Sequence, residues 1–320
     1  MDPDSDPTRA SRRSEYRPPR RRLLLYAGLA SVVLVGATAS GTAYVKAQAH
    51  DADELVSSSP SPTPSVAAAE PTEVQVEPAT APSVDRDALL AAAMKSVTVE
   101  HGADVAVAVL DVESGDNAAY GDGAFDTASI VKVDILAALL LQAQDAGRYL
   151  SAQEKAYATA MIQNSDNASA TALWYAIGQA RGLRAANERF GLGHTEGGDG
   201  ALWGLTQTTA ADQLALLRQV FGDESELSEA SRTYLRGLMG DIAAGQDWGV
   251  SAAGAPFALK NGWLPRTATG LWDINSIGRV TVHGREYLVA ALSDGNSTKE
   301  NGISLVEAAV KVAVASLGNA

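Results

Sequence analysis

The chain has 320 residues, a formal net charge of −13 at pH 7 and no cysteine; it is long enough to bury a sizeable core, and disulfide, thiol-nucleophile and thiolate–metal chemistry are excluded. Seven arginines precede Leu23, whereas from Val84 onward 17 Lys and Arg face 28 Asp and Glu. So acidic a surface repels phosphate backbones, which argues against a nucleic-acid partner.

Residues 1–22 form a basic N-terminus, and residues 23–45 carry no charge. About 20 apolar residues suffice to cross a bilayer. The arginines before this segment, with Asp51, Asp53 and Glu54 beyond it, predict a single-pass anchor in the cell membrane with the C-terminal part outside. A cleavable signal peptide fits too, because small residues follow the apolar run at 37–39 and 47–49. Both readings lead to an extracytoplasmic protein. Residues 46–83 contain Pro60, Pro62, Pro64, Pro71, Pro78 and Pro82 among Ser, Thr, Ala and Glu, the composition of a solvated, extended tether.

The folded unit is expected over residues 84–320. Its first helix follows the acidic Asp85-Arg86-Asp87, and a strand is expected at 105–110, closed by a turn at Ser114-Gly115. Helical stretches follow at about 129–144, 152–163, 168–177, 181–190, 206–221 and 228–240. Strands come next at 256–260, 271–282 and 287–292, the last two flanking a hairpin around His283-Gly284, and a helix at 303–317 closes the chain. Strands at both ends around a helical block predict one α+β domain: an antiparallel sheet of terminal strands flanked by helices, with a helical subdomain.

Three segments carry chemistry. Ser129-Ile130-Val131-Lys132 is the only Ser-x-x-Lys in the chain. On a helix, that spacing brings the lysine one turn along the same face as the serine, whose place in the first turn offers free N–H groups to an oxyanion. A desolvated lysine loses affinity for its proton and becomes a base; the alternative is a capping serine beside a surface lysine. Ser165-Asp166-Asn167 stands between two helices, where any of the three fits a cap and its neighbours fit a cleft. Lys260-Asn261-Gly262-Trp263 interrupts an apolar strand with a lysine, either an edge gatekeeper or an anion-binding group. His50, His101, His194 and His283 have no metal-binding spacing, so no metal or cofactor is expected.

In this order, the three segments resemble the penicillin-recognising serine hydrolases, most closely the class A β-lactamases, over nearly all of residues 85–318. The resemblance implies a β-lactamase/transpeptidase-like fold and an acyl-enzyme mechanism. Ser129 would be the nucleophile, Lys132 its proton acceptor and Ser165 the relay to the leaving nitrogen. Asn167 would orient a substrate amide. Lys260 would hold a carboxylate, with Asn261 assisting in place of the family's usual hydroxyl. Gly262 would let substrate approach the strand, and Trp263 would add its N–H to that of Ser129 in an oxyanion hole.

The chain departs from the family in two further ways. The stretch between Lys132 and Ser165 is short, so a loop that walls the cleft is expected to be missing. The Glu-x-x-Leu-Asn segment of class A enzymes has no clear counterpart. The nearest register, Asp199-Gly200-Ala201-Leu202-Trp203, makes Asp199 the candidate deacylating acid, with Glu196 as a second and a solvated turn as the alternative. Acylation with slow hydrolysis is therefore expected, in a monomer acting on β-lactams or related acyl-D-alanyl peptides. A D-alanyl peptidase and a non-catalytic wall-binding or β-lactam-sensing module are the alternatives.

Overall fold

The computed structural model describes residues 84–318; the expected basic N-terminus, apolar segment and tether lie outside the described residues. In chain order the elements are α1 (Arg86–Met94), β1 (Asp104–Asp111), β2 (Asn117–Tyr120), β3 (Phe125–Asp126), α2 (Val131–Asp145), α3 (Ala152–Gln163), α4 (Asn167–Ile177), α5 (Gln179–Phe190), β4 (Gln207–Thr208), α6 (Ala210–Phe221), α7 (Glu229–Gly240), β5 (Phe257–Pro265), β6 (Trp272–Val282), β7 (Arg285–Asn296) and α8 (Lys299–Gly318). Five strands form one sheet in the order β2-β1-β7-β6-β5, antiparallel at every pairing. The expected α+β fold, a sheet of terminal strands around a helical block, is the one observed.

Strand parity divides the core. Ala106, Ala108 and Leu110 of β1, with Leu288, Ala290 and Leu292 of β7, face the helical block and pack with α2 and α6. The alternate residues Val105, Val107, Val109, Val289 and Ala291 face α1 and α8. Both faces are therefore buried, as successive side chains on a strand point to opposite sides. Helix α8 is long and apolar enough to cross a membrane by length and composition. Leu305, Val306, Ala309, Val310 and Ala313 are instead buried against this second face of the sheet, so α8 serves as a core helix.

Local signals set several boundaries. Ser151 and Glu154 form a reciprocal capping box at the start of α3, and Asp166 caps α4. His283 (φ 51°) and Gly284 (φ 84°) form the two-residue turn between β6 and β7, where glycine carries the left-handed conformation at little cost. The structure differs from the expected boundaries in several places. Helix α6 begins at Ala210 rather than 206, because Gln207 and Thr208 are drawn into pairing with β3 and Thr209 becomes the cap. The short strand β2 has no alternating pattern to mark it, and β5 continues past Lys260 to Pro265.

Candidate active site

Ser129 sits in a short 3-10 turn, Ala128–Ile130, that leads directly into α2. The approach to this turn is pinned on both sides. Thr127 N–H donates to Thr206 O at 2.8 Å, and the Asn275 side-chain amide of β6 donates to the carbonyls of Asp126 and Thr127 at 2.9 and 3.0 Å. Ala128 is held at φ 48° beside the nucleophile, a left-handed conformation that costs a non-glycine residue about 1–3 kcal/mol and persists only where the surroundings enforce it. Ser165 has the same kind of strain, at φ 56°.

Gly262 explains how the strand reaches this turn. A Cβ there would lie 2.7 Å from Thr127 O, 2.9 Å from Ser129 N and 3.0 Å from Ile130 N. The missing side chain makes room for the backbone of the nucleophile, a different purpose from the expected approach of substrate.

The side chains of all three motifs converge. Lys132 is fully buried, and its Nζ lies 3.0 Å from Ser129 Oγ, 3.1 Å from Ser165 Oγ, 2.7 Å from Ser165 O and 2.8 Å from Asn167 Oδ1. Lys260, 1% exposed, places its Nζ 3.1 Å from the same Ser165 Oγ and 2.9 Å from Asn261 O. Ser165 thus joins the two amines. Four oxygens surround Lys132 Nζ, more than the three hydrogens of an ammonium can serve. An ammonium with three hydrogens and an amine with two hydrogens and a lone pair each leave one of the four oxygens shared; in the neutral form the two carbonyl oxygens accept the N–H groups and the lone pair can receive the hydroxyl proton of Ser129.

Electrostatics bring that neutral form within reach near pH 7. Burial pushes Lys132 down to about 7, opposed by the charge of Asp166. Burial and the charge of Lys132 hold Lys260 well below the usual lysine range. Asp166 itself is committed to capping α4, its Oδ1 accepting from Ser169 N–H at 2.7 Å. The indole of Trp203 completes the enclosure, with Lys132 Nζ 4.9 Å from the ring centroid and Trp203 Nε1 donating to Thr171 Oγ1 at 3.1 Å.

A cleft of about 620 Å³ opens over Ser129, lined also by Asn167, Thr171, Leu202, Trp203, Trp263 and Arg266 among others. Helices α2 and α3 are joined by residues 146–151 alone, consistent with the short connection in the sequence. The Asn167 NH2 group makes no hydrogen bond among the described residues, so it is available to a ligand. Arg266 is held by the carboxylates of Asp126 and Asp273, which neutralise much of its pull on an anion.

Two expectations need correction, those for Asn261 and for the deacylating acid. Asn261 does not assist at the cleft: residues 257, 259, 261 and 263 of β5 face α8 while Lys260 and Gly262 face the helical block. Both Asn261 amide hydrogens are spent on the carbonyls of Gln246 and Trp248, at 2.8 and 2.9 Å. The ring of Trp263 is turned the same way, 4.5 Å from Lys299 Nζ and against Trp248. What this residue presents at the cleft is therefore main chain. Asp199 is not brought to the cluster; it is exposed in a turn, where its carbonyl accepts from Leu202 N–H. Glu196 is likewise exposed and bridges Gln207 through backbone alone. Among the described residues, no carboxylate lines the cleft.

Some parts of the site carried weaker signals. Trp203 stands out as a tryptophan beside the cleft residues, whereas nothing marks Thr171, an ordinary helix threonine four residues after Asn167. Buried Asp134 was legible only as a carboxylate breaking the apolar run of α2.

No curated protein matches the chain. Among solved structures it is similar to a representative of class A β-lactamase from Bacteroides cellulosilyticus, at TM-score 0.62 and 16% identity, covering 74% of this chain and 100% of that one. It is also similar to PBP-A, at TM-score 0.62 and 19% identity over 73% and 97%, and to an ancestral class A β-lactamase, at TM-score 0.58 and 22% identity over 72% and 99%. At such identities the likeness is one of fold. The model of the β-lactamase enzyme family matches residues 147–317, a span that includes Ser165, Asn167 and Lys260. With that match over more than half its length, the chain belongs to the β-lactamase enzyme family.

Proposed function

We propose that this domain is an extracytoplasmic serine hydrolase that forms an acyl-enzyme on Ser129 with β-lactams or related acyl-D-alanyl peptides. The observation that supports it best is the 3.0 Å contact of Ser129 Oγ with the buried Lys132 amine, itself linked through Ser165 to a second buried amine. Lys132 takes the hydroxyl proton as Oγ attacks the substrate carbonyl. The N–H groups of Ser129 and Trp263 receive the developing oxyanion. As the carbonyl–nitrogen bond breaks, Ser165 passes a proton from the lysine side to the leaving nitrogen. Lys260 acts on this relay through Ser165; a substrate carboxylate arriving nearby would supply the counter-charge it lacks and restore its proton. Asn167, already fixed by Lys132, orients the substrate amide.

Hydrolysis of the resulting ester is slow in this account, because a water attacking it finds no carboxylate base in the cleft. The same feature favours a D-alanyl peptidase as the second reading, since such an enzyme works on the cell-wall peptide that a penicillin imitates and has less need of rapid β-lactam turnover.

Intact-mass measurement of the purified protein with a penicillin, beside Ser129→Ala, tests the proposal. The expected result is one added penicillin mass on the wild type and none on the variant. Equal labelling of both, or no labelling of either, contradicts acylation at Ser129, and rapid multiple turnover contradicts slow hydrolysis.

A further inference from the structure

We propose that Trp203 is a gate on the acyl-enzyme, its indole keeping hydrolytic water away from Lys132 and hence from the ester on Ser129. The inference rests on the acyl-enzyme reading above and assigns a determinant of ester lifetime to it.

The geometry is specific. Ser129, Ser165 and Asn167 occupy the polar surroundings of Lys132 Nζ, and the indole closes a side of the amine that they leave open, at 4.9 Å. Trp203 is held at both its side chain and its main chain. On one side its Nε1 is bound to Thr171 of α4, the helix that also carries Asn167. On the other, its carbonyl accepts from both the N–H and the hydroxyl of Thr206, at 3.1 and 2.8 Å. The preceding turn is equally constrained: a Cβ on Gly198 would lie 2.2 Å from Leu202 O, and Leu202 N–H donates to Asp199 O at 2.9 Å.

Hydrolysis of the ester forms a bond from a water oxygen to the acyl carbon and breaks the bond to Ser129 Oγ. The water gives up one proton and Ser129 Oγ takes one up. With no carboxylate lining the cleft, Lys132 is the base within reach of Oγ, and a water must approach both the amine and the acyl carbon. An indole over the amine denies it that place. The ring has a second effect through the same contact. Its face attracts an ammonium, but it displaces water that would solvate the charge better, so exclusion dominates and the amine's affinity for a proton is lowered.

The test follows the lifetime of a penicillin adduct by intact mass after removal of excess reagent, in the wild type, Trp203→Ala, Trp203→Phe and Thr171→Val, with the acylation rate measured against pH. The gate predicts that the adduct decays roughly tenfold faster or more in Trp203→Ala, a fraction of what a working general base contributes. A smaller acceleration is expected in both Thr171→Val and Trp203→Phe, each of which keeps an aromatic ring at the amine but loses the hydrogen bond that fixes it. It also predicts that the midpoint of the acylation profile rises in Trp203→Ala, as water reaches the amine; a purely structural loss would lower the rate without moving the midpoint. Adducts of unchanged lifetime in Trp203→Ala and Thr171→Val overturn the gate while leaving acylation standing. No adduct on the wild type overturns both. Should Trp203→Ala lose its cooperative unfolding transition, Thr171→Val, which leaves the indole in place, decides the question.

Discussion

Gly262 and Ser129 are in backbone contact: a Cβ at residue 262 would lie 2.9 Å from the Ser129 nitrogen. Neither neighbour can yield by rotating a side chain, since the atoms met are main chain of Thr127, Ser129 and Ile130. Gly262→Ala should therefore displace the nucleophile with little loss of fold. A misplacement of about 1 Å at a reacting group costs on the order of 100-fold in rate, so the acylation rate constant is expected to fall by about that factor while thermal unfolding stays cooperative. An unchanged rate would remove this strand from the positioning of Ser129.

Asp134, two residues beyond Lys132 and 1% exposed, has its pKa raised to about 7, chiefly by burial. Gln213 Nε2 lies 3.4 Å from its Oδ1, while Asp134 Oδ2 and Gln213 Oε1 are both buried without partners. A proton on Oδ2 suits that pair, and the nearby Asp212 disfavours a second charge. Because the folded-state value lies above the ordinary 3.8, the native state binds the extra proton, and stability declines as pH rises from about 4 through 7. Asp134→Asn should thus stabilise the protein at pH 8 by about 2 kcal/mol, within the range for relieving an unsatisfied buried group, and change little at pH 4. Denaturant unfolding at the two pH values measures this; equal effects at both would place no proton on Asp134.

Lys132 gives the opposite slope. Its folded-state value of about 7 lies below the ordinary 10.5, so between those pH values the native state has released a proton that the unfolded chain keeps, and stability rises with pH. The burden of burying the charge is full below pH 7 and gone above 10.5. Compared with the wild type, Lys132→Met should be relatively most stable near pH 6 and lose that advantage steadily toward pH 10. Parallel stability curves for the two proteins would contradict a neutral buried amine.

Asp166 raises the Lys132 value by its charge and caps α4 by its Oδ1. Asp166→Asn separates the two, since asparagine caps as well as aspartate. The acylation profile of this variant should shift toward lower pH at nearly unchanged stability. Asp166→Ala should show the same shift together with a loss of about 1 kcal/mol from the missing cap. A profile that does not move in either variant would mean that Asp166 is felt only through the helix.

What the sequence made legible follows from the range of the interactions involved. The i, i+3 spacing of Ser129 and Lys132 is local, and a helical turn brings the two together whatever the rest of the fold does. The cap at Asp166 and the His283-Gly284 turn are local too, and the terminal strands announce themselves by β-branched runs. Asn261 departs from its expected place because its amide is claimed by the carbonyls of Gln246 and Trp248, residues of an irregular stretch with no periodic signal. Strand parity alone places it opposite Lys260. The register that made Asp199 a candidate acid also put Trp203 in the loop, and the fold used the tryptophan and left the aspartate in solvent. Loop geometry governed by Gly197 and Gly198, whose missing side chains allow close backbone packing, decides that choice, and glycines leave no pattern from which to read it.

The claim on which the account depends is that the amine beside Ser129 releases its proton near neutral pH, far below an ordinary lysine. Lysine labelled with carbon-13 at Cε reports this directly, the Lys132 resonance being the one absent from Lys132→Met. The account predicts a titration midpoint for that resonance near pH 7; a midpoint near 10.5, in the range of a solvated lysine, would contradict it.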